Sequence, residues 1–168
     1  EDVEDIMDGA EKKIFDITND DSDTLIRLSS DDLFVVGVPV YAGRVPAMAV
    51  ERIRRFKGEG TAAVAVAVYG NRDYDDALLE LSDILKENGF RVMGAGAFVA
   101  QHSIFPKVGA NRPDEEDYRK IDQFAEAVKT LLQTGFGAVE VKGNRPYKQP
   151  GAIPIWPTGS GSCMECGK

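Results

Sequence analysis

Histidine and cysteine are nearly absent from this chain: one His and two Cys in 168 residues. Two thiols, both within the last six residues, cannot build the disulfide framework of a small secreted domain. Nor does any apolar run approach the roughly 20 residues that a membrane-spanning helix needs. A charged-then-apolar leader is also lacking at the start, so cytoplasmic localisation and no membrane partner are expected. Cations are outnumbered, with 20 Lys and Arg against 28 Asp and Glu for a net charge of −8. Clustered basic residues are what phosphate neutralisation requires, so no nucleic-acid partner is expected. What is present is an ordinary balance of 43% hydrophobic and 29% charged residues. The length suits one α/β domain with a tail.

The chain opens Glu1-Asp2-Val3 without a Met, already in a helical pattern. Val3, Ile6, Met7 and Ala10 fall at i, i+3, i+4 and i+7, and no cap residue precedes them. That start reads as cut. "KIFDIT" is a strand candidate ending at Thr18, and "NDDSDTLIRLSSDD" a polar connection. Leu33 to Val40, "LFVVGVPV", is a near-continuous apolar run, the mark of a strand buried on both faces of a parallel sheet. "AMAVERIRRFKG" predicts a helix closed by Gly58. It would bury Met48, Ile53 and Phe56 and expose Glu51, Arg52, Arg54 and Arg55.

The strand–helix pair then repeats. "TAAVAVAVYG" predicts a second buried strand, and "DYDDALLELSDILKENG" a helix with acids at its start and Gly89 at its end. "FRVMGAGAFVA" predicts a third strand, with a centre small enough for close packing. "NRPDEEDYRKIDQFAEAVKTLLQ" predicts a long amphipathic helix with Pro113 and Asp114, Glu115 and Glu116 near its start. Alternation of this kind gives an α/β fold: an open parallel sheet with helices on both faces. Beyond Gly135 the Pro/Gly-rich stretch reads as a linker or surface-hugging tail.

Open parallel sheets bind ligands outside the carboxyl ends of their strands. The loops there are "PVYAGRVP" (39–46) and "YGNRDYDDA" (69–77), each with a tyrosine, a glycine and an arginine. Two aromatic plates beside close-approaching glycine backbone suit a planar heteroaromatic ring. Tyrosines that merely cap the sheet edge would give the same pattern, and spacing does not separate the two.

The stretches "GVPVYAGRVP", "YGNRDYDDALLEL", "GAGAFVAQHSIFP" and "NRPDEED", from about Gly37 to Asp117, resemble flavodoxins. More narrowly, they resemble flavodoxins fused to a bacterial-type ferredoxin. The resemblance implies a flavodoxin-like sheet over 1–134, a linker or tail over 135–162, and a ferredoxin motif opening at 163–168. It implies FMN as cofactor. Tyr41 would lie against one flavin face, with Pro39, Val40, Ala42, Gly43 and Arg44 around it. Tyr74 would lie on the other face, with Tyr69, Gly70, Asn71 and Arg72 near the pyrimidine edge.

Two departures from the flavodoxin pattern stand out. Arg44 and Arg72 occupy places where flavodoxins carry acids, which implies stabilisation of the negative charge of reduced flavin unless the arginines are solvated or stacked. No S/T-x-T-G-x-T phosphate loop occurs either. In the order 2-1-3-4-5 the first, central strand and that loop would precede Glu1, so the fragment is expected to bind FMN weakly or not at all. At the other end Cys163 and Cys166 match the opening of C-x2-C-x2-C-x3-C-P, which implies metal ligation in a [4Fe–4S] cluster of the complete protein.

The function implied is an electron-transfer flavoprotein module. Its partner would be a redox protein or a ferredoxin domain in the same chain. A flavodoxin-like NAD(P)H-dependent FMN or quinone oxidoreductase, and a flavin-free sensor or scaffold, are the alternatives. Among the remaining candidates, His102 has no paired base or nucleophile, and Ser103 lacks the elbow context of a nucleophile. The runs "NDDSD" and "DEED" read as a solvated loop and a helix first turn. Trp156 reads as tail packing, and the G-x-G of "GAGAF" is weak evidence for a dinucleotide site.

Overall fold

The computed structural model describes residues 10–135 and 139–149. The calls on the opening helix through Gly9, on Trp156 and on Cys163 and Cys166 lie outside them. Five strands and three helices follow one another: β1 (Ile26–Leu28), β2 (Leu33–Pro39), α1 (Ala47–Ile53), β3 (Phe56–Gly58), β4 (Thr61–Tyr69), α2 (Ala77–Glu87), β5 (Phe90–Val99) and α3 (Glu115–Thr134). Every strand pairing is parallel, β1 with β3 and β2-β4-β5 in a three-stranded sheet. The fold is α/β, and the three long apolar runs are its three principal strands.

The sheet's two faces follow from the alternation in "TAAVAVAVY". Ala63, Ala65 and Ala67 of β4 turn to one side, where they join Val36, Val38, Ile53, Leu78, Leu81 and Leu85 in the main core. Their small side chains let α1 and α2 lie close. Val64 and Val66 turn to the other side and meet Val128 and Phe124 of α3. A bulge between Ala63 and Val64, opposite Met93, shifts the β5 register by one residue. It brings Gly94 and Gly96 beneath α3. A Cβ on Gly94 would sit 2.5 Å from Val128 Cγ2, and one on Gly96 3.2 Å from Phe124 Cε2. The small centre of this strand therefore serves helix packing.

Helix ends obey their local chemistry. Asp114 caps α3 by accepting from Glu116 N and Asp117 N, and the Asp117 carboxylate in turn accepts from Asp114 N. Gly135 closes α3 at φ 75°, and Gly89 follows α2 at φ 89°.

Three expected elements differ. "KIFDIT" is not a strand: Asp16 takes the amide of Thr18 in a local turn at 2.9 Å, and Arg52 binds the carbonyls of Ile17 and Thr18. The polar connection after it contains β1, where Ile26 and Leu28 flank Arg27 with period two. The helix expected to reach Gly58 stops at Ile53, and Phe56 begins β3. Phe56 is buried in an aromatic row with Phe34 and Phe90, whose successive centroids are 4.9 and 5.0 Å apart. That burial outweighs one more helical turn. Arg52 and Arg55, expected in solvent, are largely covered by the segment they pin.

Gly94→Ala should destabilise the protein by about 1–3 kcal/mol through overpacking against Val128. Adding Val128→Ala should recover part of that loss. Urea unfolding of both variants measures it; equal loss in the double variant would place the strain elsewhere.

Candidate functional site

Three loops leave the carboxyl ends of β2, β4 and β5, and backbone contacts join them into one rim. Asp76 N donates to Gly43 O at 3.1 Å, which ties the second loop to the first. The His102 ring lies against Gly70, and Gly109 lies against Asn71, so the third loop meets the second. Strained backbone concentrates here: Ala42, Asn71, Asp75 and Asn111 all have φ between 44° and 63°. Positive φ costs a side-chain-bearing residue energy and persists only where the surroundings hold it.

The first loop is a tight turn. Tyr41 and Arg44 exchange two backbone hydrogen bonds of 3.0 Å, and Ala42 and Gly43 between them sit at φ 52° and 82°. Tyr41 projects outward, 63% exposed. Tyr74 is half-buried against the core, edge-on to Tyr69 at 5.5 Å and with Lys142 Nζ 5.5 Å from its ring centre. Of the two tyrosines, Tyr41 presents the open surface. Pro39 is exposed; Val40, Tyr69 and Gly70 are half-buried; Asn71 and Arg72 are exposed.

Both arginines are engaged. Arg44 forms a two-pronged pair with Glu80 (2.7 and 2.8 Å), donates to Lys148 O at 2.9 Å and lies over the Tyr147 ring. The Glu80 partnership, opposed by burial, raises the Arg44 pKa further. Arg72 pairs with Asp75, which also receives Lys148 Nζ at 2.8 Å. Neither guanidinium is a free positive charge waiting for a ligand.

The sequence reading missed the polar lattice on α2. Asp76, Glu80 and Asp83 fall at i, i+4 and i+7 on one helix face, and the segment 143–148 docks on Asp76 and Asp83. Asp83 takes Arg145 and the Tyr147 hydroxyl, the latter at 2.6 Å. Burial and then this carboxylate push the Tyr147 phenol up to about 12. Burial disfavours the Asp76 and Asp83 charges, yet hydrogen bonds from the docked segment win and lower both pKa values. The spacing of acids within an apolar helix was the available signal. Also missed were the exposed Ile104 and Phe105 (73% and 60%), which make the third loop's tip apolar. His102 organises that tip as an acceptor, with Nδ1 receiving Ile104 N and Phe105 N at 3.1 and 3.2 Å.

Among the described residues no group of three His, Cys, Asp or Glu side chains could hold a metal ion. No described helix is long and apolar enough to cross a membrane. Comparison with protein-family models, curated proteins and solved structures finds no match to the chain.

Gly70→Ala should displace His102, because the new Cβ would lie 2.8 Å from its ring. Amides of Ile104 and Phe105 should then exchange roughly three- to tenfold faster, the equivalent of one weakened hydrogen bond; unchanged rates would show that His102 does not hold the tip.

A second expectation concerns acid. Arg112, opposed by burial and helped by the Asp114 amide, holds Asp117 down to about 2. A carboxyl whose folded pKa lies below its unfolded value of about 3.9 stabilises the fold above that pH. The contribution is lost as pH falls toward 2. Asp117→Asn should therefore flatten the pH dependence of thermal stability between about 4 and 2, followed by circular dichroism.

Proposed function

We propose that the chain is an FMN-binding module of flavodoxin-like fold that carries electrons, and that the rim around Tyr41 receives the flavin ring. The observation that carries this reading is the set of three strand-end loops with strained backbone and one outward aromatic, at the end of a parallel sheet where such folds bind ligands. The adjacency β2-β4-β5 agrees with strands three, four and five of the order 2-1-3-4-5.

The far edge of β2 supports the same arrangement. Val40 N bonds Val68 O on β4 at 2.9 Å. By alternation, the amides of Leu33, Val35 and Gly37 point the other way, and no described strand pairs with them. An apolar, uncharged edge of seven residues is a place for a further strand. In the flavodoxin order that strand is the first, which carries the phosphate loop.

The fit to FMN is thus partial. The rim offers a flat aromatic and loop backbone to the ring, whereas the described residues include no Ser/Thr-Gly-rich turn for the phosphate. Bound flavin would supply exchange of one or two electrons. The chain's own part is to stack Tyr41 on the ring, hold its edge with backbone and keep water from one side. Because Arg44 and Arg72 are paired with acids, their effect on a reduced flavin is weaker than two free cations would exert. An iron–sulfur partner rests on Cys163 and Cys166 and on the resemblance alone.

Titration of the chain with FMN and with riboflavin, followed by flavin fluorescence, tests the assignment. Both should bind equally weakly, with Kd above roughly 10 µM. Tyr41→Ala should weaken both by about three- to tenfold through loss of ring contact. Strong preference for FMN over riboflavin would refute the account of the phosphate, and quenching indifferent to Tyr41 would refute the placement of the ring.

A further inference from the structure

The turn at Tyr41–Arg44 holds an alanine at φ 52° followed by a glycine at 82°, a form that alanine alone does not favour. Its two internal hydrogen bonds close the turn but do not explain its support. That support comes from α2. Gly43 O accepts Asp76 N, Val45 N donates to Glu80 Oε2 at 3.0 Å, and the Arg44 side chain takes both oxygens of Glu80.

The same face of α2 carries the segment 143–148. Asp76 stands at the N-cap position of α2, where a carboxylate ordinarily accepts an amide of the helix's first turn. It makes no such bond. Its Oδ1 accepts Asn144 N at 2.7 Å and Asn144 Nδ2 at 3.1 Å, and its Oδ2 accepts Lys148 N at 2.6 Å. A capping group 2% exposed has been given over to a segment about 70 residues distant in sequence. Lys148 then closes the circuit: its carbonyl accepts Arg44 Nη1 and its ammonium reaches Asp75. The Tyr147 ring covers the Arg44 guanidinium at 4.9 Å. Further along, Arg145 clasps Asp83, and Gly143 lies so close to Leu79 that a Cβ would meet it at 2.6 Å.

We propose that residues 143–148 are a strap that fixes the Tyr41–Arg44 turn in its strained form, and that lifting the strap loosens the turn while the sheet stays intact. Two links transmit the hold. One passes from the strap amides through the Asp76 carboxylate to its own backbone amide and so to Gly43 O. The other passes from Lys148 O and the Tyr147 ring to the guanidinium of Arg44, which itself pairs with Glu80. Each polar contact is modest in net terms, and stronger when one partner is charged. Several acting together on one four-residue turn oppose the strain of its backbone. The inference concerns the loop's mobility and holds whether or not the rim takes a flavin.

Gly143→Ala lifts the strap without touching the turn, since the added methyl meets Leu79 and the residue's φ of 154° suits glycine. Arg145→Ala is a milder second variant that removes only the clasp on Asp83, whose arginine is 61% exposed. Amide hydrogen exchange of the whole chain gives the readout as a ratio, the Val45 rate divided by the Ala65 rate within β4. A general loss of stability speeds Ala65 at least as much as Val45, so it does not by itself raise the ratio. Gly143→Ala should raise it about tenfold, and Arg145→Ala should raise it less. A ratio unchanged in both variants, with only residues 144–148 exchanging faster, would overturn the proposal and leave the flavin reading untouched.

Discussion

β4 is the constraint on which the rest depends. Seven of its nine residues are buried, from Thr61 to Ala67, so neither face can be polar and both must be covered. The sequence meets this by splitting the strand into an alanine face and a valine face. Alanines permit α1 and α2 to approach on one side, while valines fill the space beneath α3 on the other. The bulge at Met93 carries the division into β5, where glycines take the places under Phe124 and Val128. With both faces of the central strand thus closed, the strand ends are the natural exit for chemistry.

The ends are organised by charge held inside the molecule. Asp76, Glu80 and Asp83 form a stripe on α2, and the side chains of Arg44 and Arg145 and the backbone amide of Lys148 converge on it from the first loop and from the docked segment. A partly buried carboxylate with an arginine and backbone amides around it avoids the desolvation penalty that an unpaired acid would suffer. The stripe thereby fastens three parts of the chain distant in sequence. It also explains why Arg44, placed by the resemblance beside a flavin, is turned toward structure, whereas Arg72 stays exposed and pairs with Asp75.

Legibility followed the range of the forces involved. "TAAVAVAVYG", "LFVVGVPV" and the capped helix starting after Asp114 could be read because pattern, propensity and caps agree along a short window. β1 and β3 could not: three residues each, they depend on Phe56 packing against Phe34, stacked, and Phe15, edge-on, contacts that no local window contains. "KIFDIT" failed for the converse reason, since its alternation found no partner strand and Asp16 took the next turn's amide instead. That "PVYAGRVP" and "YGNRDYDDA" follow strand ends was legible from the strand–helix alternation. Side-chain directions were not: Tyr74 and Arg44 point into contacts made by Lys142, Tyr147 and Lys148, far along the chain, or by the helix beneath them.

Apolar side chains are exposed elsewhere too, at Ile14, Leu25 and Met48, but one set of exceptions to local rules lies together. Ala42, Asn71, Asp75 and Asn111 take positive φ, Asp76 declines to cap its own helix, and Ile104 and Phe105 expose apolar side chains. All of these lie in the loops after β2, β4 and β5. Through the central sheet and the caps of α3, local preference and tertiary structure agree. A sequence selected only for stability would have placed glycine or asparagine at 42, left Asp76 on the helix and made the 104–105 tip polar, each a small gain. Strain gathered at one end of a molecule, where the topology also gathers backbone and an outward tyrosine, is the ground on which the proposed flavin rim rests.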